Sequence, residues 1–329
     1  MASTKKTKIS FFDFCSGIGA GRLGLERTGM VCIGRSDTSR LSDTTYQILH
    51  DCTNDKNYGN LKRIKTETIP DFDILIAGFP CQTFSVMGRR AGFDDDRGQI
   101  IFHLARIISE KKPKAFILEN VRGLVSHDKG KTIDIIVKEL EKTGYDVRYR
   151  VLNSLDYGVP QMRWRVYFVG LRKDLGKNID SFEFPKEVKK PSLFDGYLVD
   201  DKEIESENLE RLPYYLKNPT NNGKYTINDL IKMDCKLFDT RMSDLRIYDD
   251  KCPTLRSQRD GIYYSHNGKL YQLTGYEALL LQGFPKEMAN KVKNNVTDRH
   301  LLMQAGNAMT VNVIEKLGKQ IKKILEAKQ

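Results

Sequence analysis

Short apolar runs alternate with stretches of helical periodicity along the first half of the chain. The apolar runs are rich in β-branched and aromatic residues, as is typical of buried strands, and they occupy 9–14, 31–34, 73–77 and 115–118. The periodic stretches predict helices at 22–28, 39–52, 99–111 and 131–143, and a final helix is predicted at 311–326. Because strands and helices alternate up to about residue 170, we expect a parallel sheet that is covered by helices on both faces.

The first strand is followed by a glycine-rich turn and, after a helix and a second strand, by an acidic residue. The turn reads Cys15-Ser16-Gly17-Ile18-Gly19-Ala20-Gly21, and Asp37 lies 20 residues after Gly17. This order is typical of a Rossmann-like nucleotide-binding unit, whose carboxylate accepts hydrogen bonds from ribose hydroxyls. The glycine spacing differs from G-x-G-x-x-G and favours a nucleoside ligand without phosphates, of which S-adenosylmethionine is the commonest. The alternative is a turn that only packs a helix against the sheet.

A cysteine follows the third predicted strand. The strand at 73–77 leads into Gly78-Phe79-Pro80-Cys81-Gln82. In open α/β sheets the carboxyl ends of the strands bind ligands and present reactive side chains, so Cys81 is a candidate nucleophile. The alternative is that Cys81 is a small buried hydrophobic residue, as many intracellular cysteines are.

Charged side chains are predicted at the same edge of the sheet. Glu119 directly follows the strand at 115–118, and period-two alternation over 161–168 places Arg163 and Arg165 on one face of a strand. Each of these residues also has a plain interpretation, as a helix cap or a solvated charge. Taken together, they predict that a thiol, a carboxylate and two arginines converge on one cleft.

Composition narrows the class of protein. The chain carries 54 Lys and Arg against 43 Asp and Glu, a net charge of +11, which favours a polyanionic partner, although many basic proteins bind no nucleic acid. It contains no apolar run long enough for a membrane span and no recognisable signal peptide, so we expect a soluble cytoplasmic protein. The six cysteines lack paired spacing, which predicts neither a disulfide framework nor a metal site.

Six segments in order resemble the motifs of the DNA cytosine-C5 methyltransferase family, particularly its short bacterial members from restriction-modification systems. The resemblance covers nearly the whole chain apart from a variable segment. The segments are Asp13-Phe14-Cys15-Ser16-Gly17-Ile18-Gly19, Gly78-Phe79-Pro80-Cys81-Gln82, Glu119-Asn120-Val121, Gln161-Met162-Arg163-Trp164-Arg165, Leu281-Gln282-Gly283-Phe284-Pro285 and Gln304-Ala305-Gly306-Asn307-Ala308.

The resemblance implies a reaction that matches these side chains. The enzyme would transfer a methyl group from S-adenosylmethionine to carbon 5 of a flipped-out cytosine in a specific duplex DNA sequence, through a covalent Cys81 adduct at carbon 6. Glu119 would hydrogen-bond the N3 and amino edge of the base, and Arg163 and Arg165 would supply positive charge that favours the thiolate. Water or hydroxide would remove the carbon 5 proton.

The resemblance also implies a cofactor site and a set of DNA contacts. The cofactor residues would be Cys15, Gly17, Ile18, Gly19, Asp37, Thr38, Asn60, Pro80 and Asn307. Residues 82–98 would form a loop that closes over the flipped base, with Gln82, Ser85 and Arg97 on the DNA. The chain departs from the family pattern at four positions. Where the family commonly has Phe, Glu, a larger apolar residue and Asp, this chain has Cys15, Asp37, Thr38 and Asn60, respectively. We therefore expect weaker cofactor binding than is typical.

The pattern changes after Pro185, where the alternation of strands and helices is lost. By position, residues 1–185 and 300–329 match the family's catalytic, cofactor-binding large domain, 186–275 its target recognition domain, and 276–299 a hinge segment. Short strands with clustered arginines are expected over 240–271. Arg256 and Arg259 are the expected readers of guanine in the major groove.

The resemblance implies double-stranded DNA as the partner, with a cognate restriction endonuclease acting separately. It further implies a monomer in the bacterial cytoplasm, at the nucleoid. Three alternatives remain open. They are a transfer-RNA cytosine methyltransferase on the same scaffold, a catalytically silent DNA-binding protein, and a nicotinamide-dependent dehydrogenase, which the missing G-x-G-x-x-G motif disfavours.

Overall fold

The computed structural model describes residues 8–79, 100–177, 179–204, 212, 216, 224–241, 244–257 and 261–327. The chain forms two compact units. The first comprises Met1–Asn153, Trp164–Glu187 and Ala308–Gln329, and the second comprises Ser154–Arg163 and Val188–Asn307. Six of the predicted site residues lie outside the described residues: Pro80, Cys81, Gln82, Ser85, Arg97 and Arg259.

A six-stranded sheet forms the centre of the first unit. Its strands are β1 (Ser10–Phe14), β2 (Val31–Ser36), β3 (Ile74–Gly78), β4 (Ala115–Val121), β5 (Tyr145–Asn153) and β6 (Trp164–Arg172), in the order β2-β1-β3-β4-β6-β5. The pairs among β1 to β4 are parallel, whereas β6 runs antiparallel to β4 and β5. The prediction of an all-parallel sheet is therefore wrong at β6. No crossover helix separates β5 from β6, so the chain returns in the opposite direction.

Helices cover both faces of this sheet. They are α1 (Ala20–Glu26), α2 (Arg40–His50), α3 (Ile100–Lys111), α4 (Gly123–Ser126), α5 (Lys131–Glu141) and the final helix (Val311–Glu326). On one face, apolar residues of α3 and α5 such as Leu104 and Ile136 share a core with Phe116 and Phe168. On the other face α1 packs against the final helix, where Gly24 permits contact because a Cβ there would lie 2.6 Å from Ile314.

The second unit is built on a four-stranded antiparallel sheet. Its strands, β7 (Lys236–Arg241), β8 (Asp244–Asp249), β9 (Ile262–His266) and β10 (Lys269–Gln272), are arranged in the order β10-β9-β7-β8. Its helices are α6 (Ile227–Lys232), α7 (Gly275–Leu281), α8 (Lys286–Lys293) and α9 (Asp298–Asn307). Phe238, Leu245 and Leu270 of the strands pack with Leu230 of α6 to form its core.

The predicted fold class, a Rossmann-like α/β sheet with a second, smaller unit, is confirmed. The final helix has the predicted bounds, 311–326. The two compact units have other limits than the predicted domains, because 154–163 and 276–307 belong to the second unit. Over the described residues, the structure contains no helix that is both long and apolar enough to cross a membrane.

Candidate active site

The carboxyl ends of β3 and β4 meet where Gly78 lies beside Glu119. The two strands pair in register from Ile74 and Ala115 to Gly78 and Glu119. A Cβ built on Gly78 would lie 3.5 Å from Met309 Cγ and 3.7 Å from Glu119 Oε2, so both side chains approach the end of β3. The strand that leads toward Cys81 therefore ends directly beside Glu119.

Two hydrogen bonds join the chain to β4 immediately before Pro80. The Phe79 amide donates a 3.2 Å hydrogen bond to the Glu119 carbonyl, and Asn120 Nδ2 donates a 3.0 Å hydrogen bond to the Phe79 carbonyl. The Asn120 side chain is buried, and its Oδ1 accepts a 2.8 Å hydrogen bond from the Val121 amide. These bonds fix the backbone two residues upstream of Cys81.

Glu119 is paired with Arg165 of the adjacent strand. Arg165 Nε lies 3.1 Å from Glu119 Oε1, and the two side chains are 12% and 10% exposed. Arg165 Nη1 also donates a 2.8 Å hydrogen bond to the Trp164 carbonyl, which fixes the orientation of the guanidinium. The predicted proximity of Glu119 and Arg165 is therefore present in the first unit, and the arrangement holds the carboxylate in one position.

Arg163 has different surroundings from those the alternation predicted. Strand β6 begins at Trp164, so Arg163 precedes the strand and belongs to the second unit. Its Nη1 and Nη2 donate 3.0 Å hydrogen bonds to the carbonyls of Leu255 and Gly306. Arg163 therefore lies just before β6, although its carbonyl still accepts a 3.0 Å hydrogen bond from the Ser154 amide, and its placement on the Arg165 face stays a prediction. The preceding residue, Met162, donates a 2.7 Å hydrogen bond from its amide to the Cys252 carbonyl.

The other motif residues of this stretch also have structural partners inside the second unit. The fully buried Gln161 donates a 2.9 Å hydrogen bond to the Leu281 carbonyl. Gln282, also fully buried, donates a 2.6 Å hydrogen bond to the Ala305 carbonyl at the end of α9. A Cβ on Gly306 would come within 2.4 Å of the Arg256 backbone, so only glycine permits this close packing. Three motifs that are distant in sequence thus form one packed cluster.

The Asp37 side chain is bound to the backbone of the glycine turn. Its Oδ2 accepts a 2.8 Å hydrogen bond from the Gly17 amide, and its Oδ1 accepts one of 2.8 Å from the Ser39 amide. Gly17 has a φ of +53°, and no atom lies within 4 Å of a Cβ built on it. The turn therefore offers open space above its backbone, next to a partly buried carboxylate.

Asn57 fixes Asp37, which sequence reasoning missed. Its Oδ1 accepts hydrogen bonds from the amides of Asp37 (3.0 Å) and Gly59 (2.9 Å). Its Nδ2 donates to the Asp37 carbonyl (3.1 Å) and to Asp43 Oδ1 (3.0 Å). Asp43 in turn forms an ion pair with the buried Arg35. Since these contacts join segments about 20 residues apart, no local pattern in the sequence pointed to them.

The remaining predicted cofactor residues have varied surroundings. Cys15 has a left-handed φ of +50° and packs against the core, and burial raises the pKa of its thiol to about 12. Thr38 is exposed, and Ile18 and Gly19 are buried. Asn60 Oδ1 accepts a 3.0 Å hydrogen bond from the Lys62 amide at the start of a short 3₁₀ helix. Asn307 is exposed at the end of α9, in the second unit.

A cluster of buried polar side chains packs near the glycine turn. His50 Nε2 lies 3.4 Å from the Ile18 carbonyl oxygen, and burial lowers the pKa of His50 to about 3. The Tyr46 ring is tilted by 41° relative to the His50 ring, with 4.6 Å between centroids, and the Arg35 guanidinium carbon lies 4.3 Å from the Tyr46 centroid. Burial also raises the pKa of the Asp13 carboxyl at the end of β1. These groups order the turn without reaching the open space above it.

Two other predictions concern the surface and metals. Arg256, an expected reader of guanine, is exposed in the second unit. Across the residues that the structure describes, no group of three or more His, Cys, Asp or Glu side chains is arranged to hold a metal ion.

The first unit has a Rossmann-like α/β fold. The fold is similar to that of Entamoeba histolytica methyltransferase EhMeth, with a TM-score of 0.70 and 18% identity, over 98% of this chain and 100% of that one. It is also similar to S. pombe Dnmt2 methyltransferase, with a TM-score of 0.68 and 16% identity, over 97% and 100% of the two chains.

The chain belongs to the C-5 cytosine-specific DNA methylase family, whose profile matches residues 9–323. It is 32% identical to Type II methyltransferase M.HhaI of Haemophilus parahaemolyticus, over 94% of this chain and 93% of the relative. It is 34% identical to Type II methyltransferase M1.ScrFI of Lactococcus lactis subsp. cremoris, over 98% and 80%. The predicted family is confirmed, and with it the predicted class of enzyme, a DNA cytosine-5 methyltransferase.

Proposed function

We propose that this enzyme transfers a methyl group from S-adenosylmethionine to carbon 5 of a flipped-out cytosine in a specific duplex DNA sequence, through a Cys81 adduct at carbon 6. The observation that carries the proposal is the Glu119–Arg165 pair, whose atoms lie 3.1 Å apart. It lies beside Gly78, where the chain turns toward Cys81. Membership in the C-5 cytosine-specific family supports the choice of carbon 5.

The glycine turn fits a nucleoside cofactor. The space above Gly17 admits a ligand against the backbone. Each Asp37 carboxylate oxygen accepts one main-chain hydrogen bond and keeps a further lone pair for a ribose hydroxyl. Gly17, Ile18, Gly19 and Asp37 would therefore hold the adenosine portion. S-adenosylmethionine, when bound, supplies an electrophilic methyl group.

The side chains at the sheet edge match the demands of the reaction. The Cys81 thiolate forms a bond from sulfur to carbon 6, and the ring electrons move to carbon 5, which becomes nucleophilic. Glu119 hydrogen-bonds the N3 and amino edge of the ring and stabilises the charge that develops there. After carbon 5 is methylated, water or hydroxide removes its proton and the bond between sulfur and carbon 6 breaks. The carbon 5 proton passes to solvent, and the Cys81 thiolate is regenerated.

The substrate base must leave the duplex stack, because carbon 6 is inaccessible within it, at a cost of about a few kcal/mol. In the proposal, residues 82–98 close over the base, with Gln82, Ser85 and Arg97 on the DNA. Arg256 and Arg259 of the second unit read the recognition sequence. The relatives' names as Type II methyltransferases support a role beside a separate cognate endonuclease. We expect a monomer in the bacterial cytoplasm.

The test is covalent trapping on DNA that contains 5-fluorocytosine. Fluorine at carbon 5 does not leave as a proton does, so an active enzyme remains attached and runs as a shifted band on a denaturing gel. Wild type and Cys235→Ala, which removes an exposed cysteine, should form the adduct, and Cys81→Ala should not. An adduct with Cys81→Ala, or none with wild type despite cofactor binding, contradicts the proposed mechanism. Adducts on transfer RNA alone would identify an RNA enzyme.

A further inference from the structure

The only tryptophan of the chain is exposed next to the candidate active site. Trp164 is the first residue of β6, and 39% of its surface is exposed. Its alternation partners on the same strand face, Val166 and Phe168, are fully buried in the core. The apolar stripe of β6 therefore continues past the helices that cover it and ends in an exposed indole ring.

The indole lies beside a cation and open backbone. The Arg122 guanidinium carbon is 5.7 Å from the centroid of the Trp164 ring. Val121, the last residue of β4, is 38% exposed, and no atom lies within 4 Å of a Cβ built on Gly123. We call Val121, Arg122, Gly123 and Trp164 the Trp164 surface. It combines positive charge with an exposed aromatic ring.

This chemistry suits one strand of a nucleic acid. An arginine next to an aromatic ring offers a guanidinium for phosphate, while the ring packs on a sugar or a base. The surface also lies at the same edge of the sheet as the active site, because Val121 follows Glu119 by two residues along β4 and pairs in register with Arg165, the residue after Trp164. By alternation, Trp164 itself lies on the opposite face of β6 from Arg165. A rise of about 3.3 Å per residue separates the two positions along the strand by about 7 Å. A nucleotide that neighbours the target base is within that reach.

We propose that the Trp164 surface binds the sugar-phosphate backbone of duplex DNA beside the target cytosine. Arg122 pairs with a phosphate, and Trp164 packs against the adjoining sugar. This assignment rests on the proposed function, since it takes Glu119 as the residue that meets the target base. The surface carries no sequence information of its own, so it contributes affinity and register to any bound duplex.

The fluorescence of Trp164 reports directly on binding at this surface, because the intrinsic tryptophan emission of this protein comes from that residue alone. We expect a short DNA duplex to reduce the quenching of this emission by acrylamide, and S-adenosylmethionine alone to leave it unchanged. Binding of the duplex is followed in parallel by anisotropy of a labelled strand. The proposal is overturned if bound duplex leaves the quenching unchanged. It is also overturned if the cofactor alone protects Trp164, which would mean that another part of this chain covers it, or if only transfer RNA protects it.

Two variants separate the roles of charge and ring. Arg122→Gln should flatten the dependence of log affinity on log salt by about 0.9, as for one lost phosphate contact. Trp164→Ala should lower duplex affinity about tenfold. The matched controls are Arg63→Gln, an exposed arginine of a 3₁₀ helix, and Tyr149→Ala, a residue of β5 that is 42% exposed. Calorimetry with S-adenosylmethionine checks that every variant retains a folded cofactor site.

The variants decide the assignment in either direction. Wild-type behaviour of Trp164→Ala and Arg122→Gln, or equal losses in the two controls, would overturn it. The trapping assay distinguishes a failure of this assignment from a failure of the proposed function. A wild-type adduct without protection of Trp164 rejects the surface alone, whereas protection without an adduct supports the surface and rejects the covalent mechanism.

Discussion

Arg165 holds Glu119 through Nε, with 3.1 Å between the two atoms, while its Nη1 is bound to the Trp164 carbonyl. The carboxylate is thus oriented by a guanidinium that is itself fixed to the main chain. Glu119→Gln retains the size of the side chain but removes the acid. We expect it to slow methyl transfer by about 10²–10⁴-fold, the usual contribution of a positioned acid or base.

The measurement for Glu119→Gln is single-turnover transfer of a radioactive methyl group to duplex DNA, together with calorimetric titration of S-adenosylmethionine. Cofactor affinity should stay at the wild-type value because Glu119 belongs to the base site. Glu110→Gln, on α3 and remote from the edge of β4, serves as the matched control and should retain wild-type rates. A Glu119→Gln enzyme with an unchanged rate would remove Glu119 from the proposed mechanism.

The two arginines of one motif should respond differently to the same substitution. Arg163→Lys loses at least one of the hydrogen bonds to the carbonyls of Leu255 and Gly306, so we expect the free energy of unfolding to fall by about 1–3 kcal/mol. Arg165→Lys keeps the charge but not the paired contacts to Glu119 and the Trp164 carbonyl, and should chiefly slow methyl transfer. Thermal melting and single-turnover rates measure both effects. Equal loss of stability in the two variants would contradict this division.

The difference between these arginines shows which structural features the sequence pattern can predict and which it cannot. Periodicity is a local property, and it predicted β3, β4 and the final helix to within a few residues. Strand β6 begins only at Trp164, and the preceding Met162 is hydrogen-bonded to Cys252, which is far away in the sequence. Alternation therefore extended the strand back over Arg163. The partners of Asn57 and His50 escaped prediction for the same reason, because they are determined by how separate segments pack.

Two glycines of the turn provide a matched pair of substitutions. Gly17→Ala places a methyl group in open space, at a backbone cost of about 1–2 kcal/mol for the left-handed φ of +53°. Gly19→Ala adds a clash, since its Cβ would lie 2.2 Å from His50 Nε2. We expect Gly17→Ala to fold and to bind S-adenosylmethionine poorly, and Gly19→Ala to lose more stability. Thermal melting and calorimetry separate the two. Wild-type affinity in Gly17→Ala would place the cofactor elsewhere.

Asn57 should control cofactor affinity through Asp37. Asn57→Ala removes the partners of both the amide and the carbonyl of Asp37, which costs about 1–3 kcal/mol and loosens the carboxylate. We expect S-adenosylmethionine to bind about tenfold more weakly, which corresponds to about 1.4 kcal/mol. Asn54→Ala, which changes an exposed asparagine three residues earlier, is the matched control for calorimetry. Equal affinities of the two variants would show that Asp37 needs no such support.

His50 should make the first unit sensitive to acid. Burial lowers its pKa in the folded protein to about 3, whereas an unfolded chain has a histidine pKa of about 6.5. Between these values the unfolded state binds more protons, so the free energy of unfolding falls as the pH decreases from about 6.5 toward about 3. His50→Gln keeps a donor near the Ile18 carbonyl but cannot titrate, and it should flatten that part of the profile. Urea denaturation of both proteins at about pH 8 and about pH 5 measures the difference. The buried Asp13 carboxyl, whose pKa is raised, is present in both proteins and contributes equally to both profiles. If the free energy of unfolding of His50→Gln depends on pH as in the wild type, His50 is protonated in the folded state and the prediction is wrong.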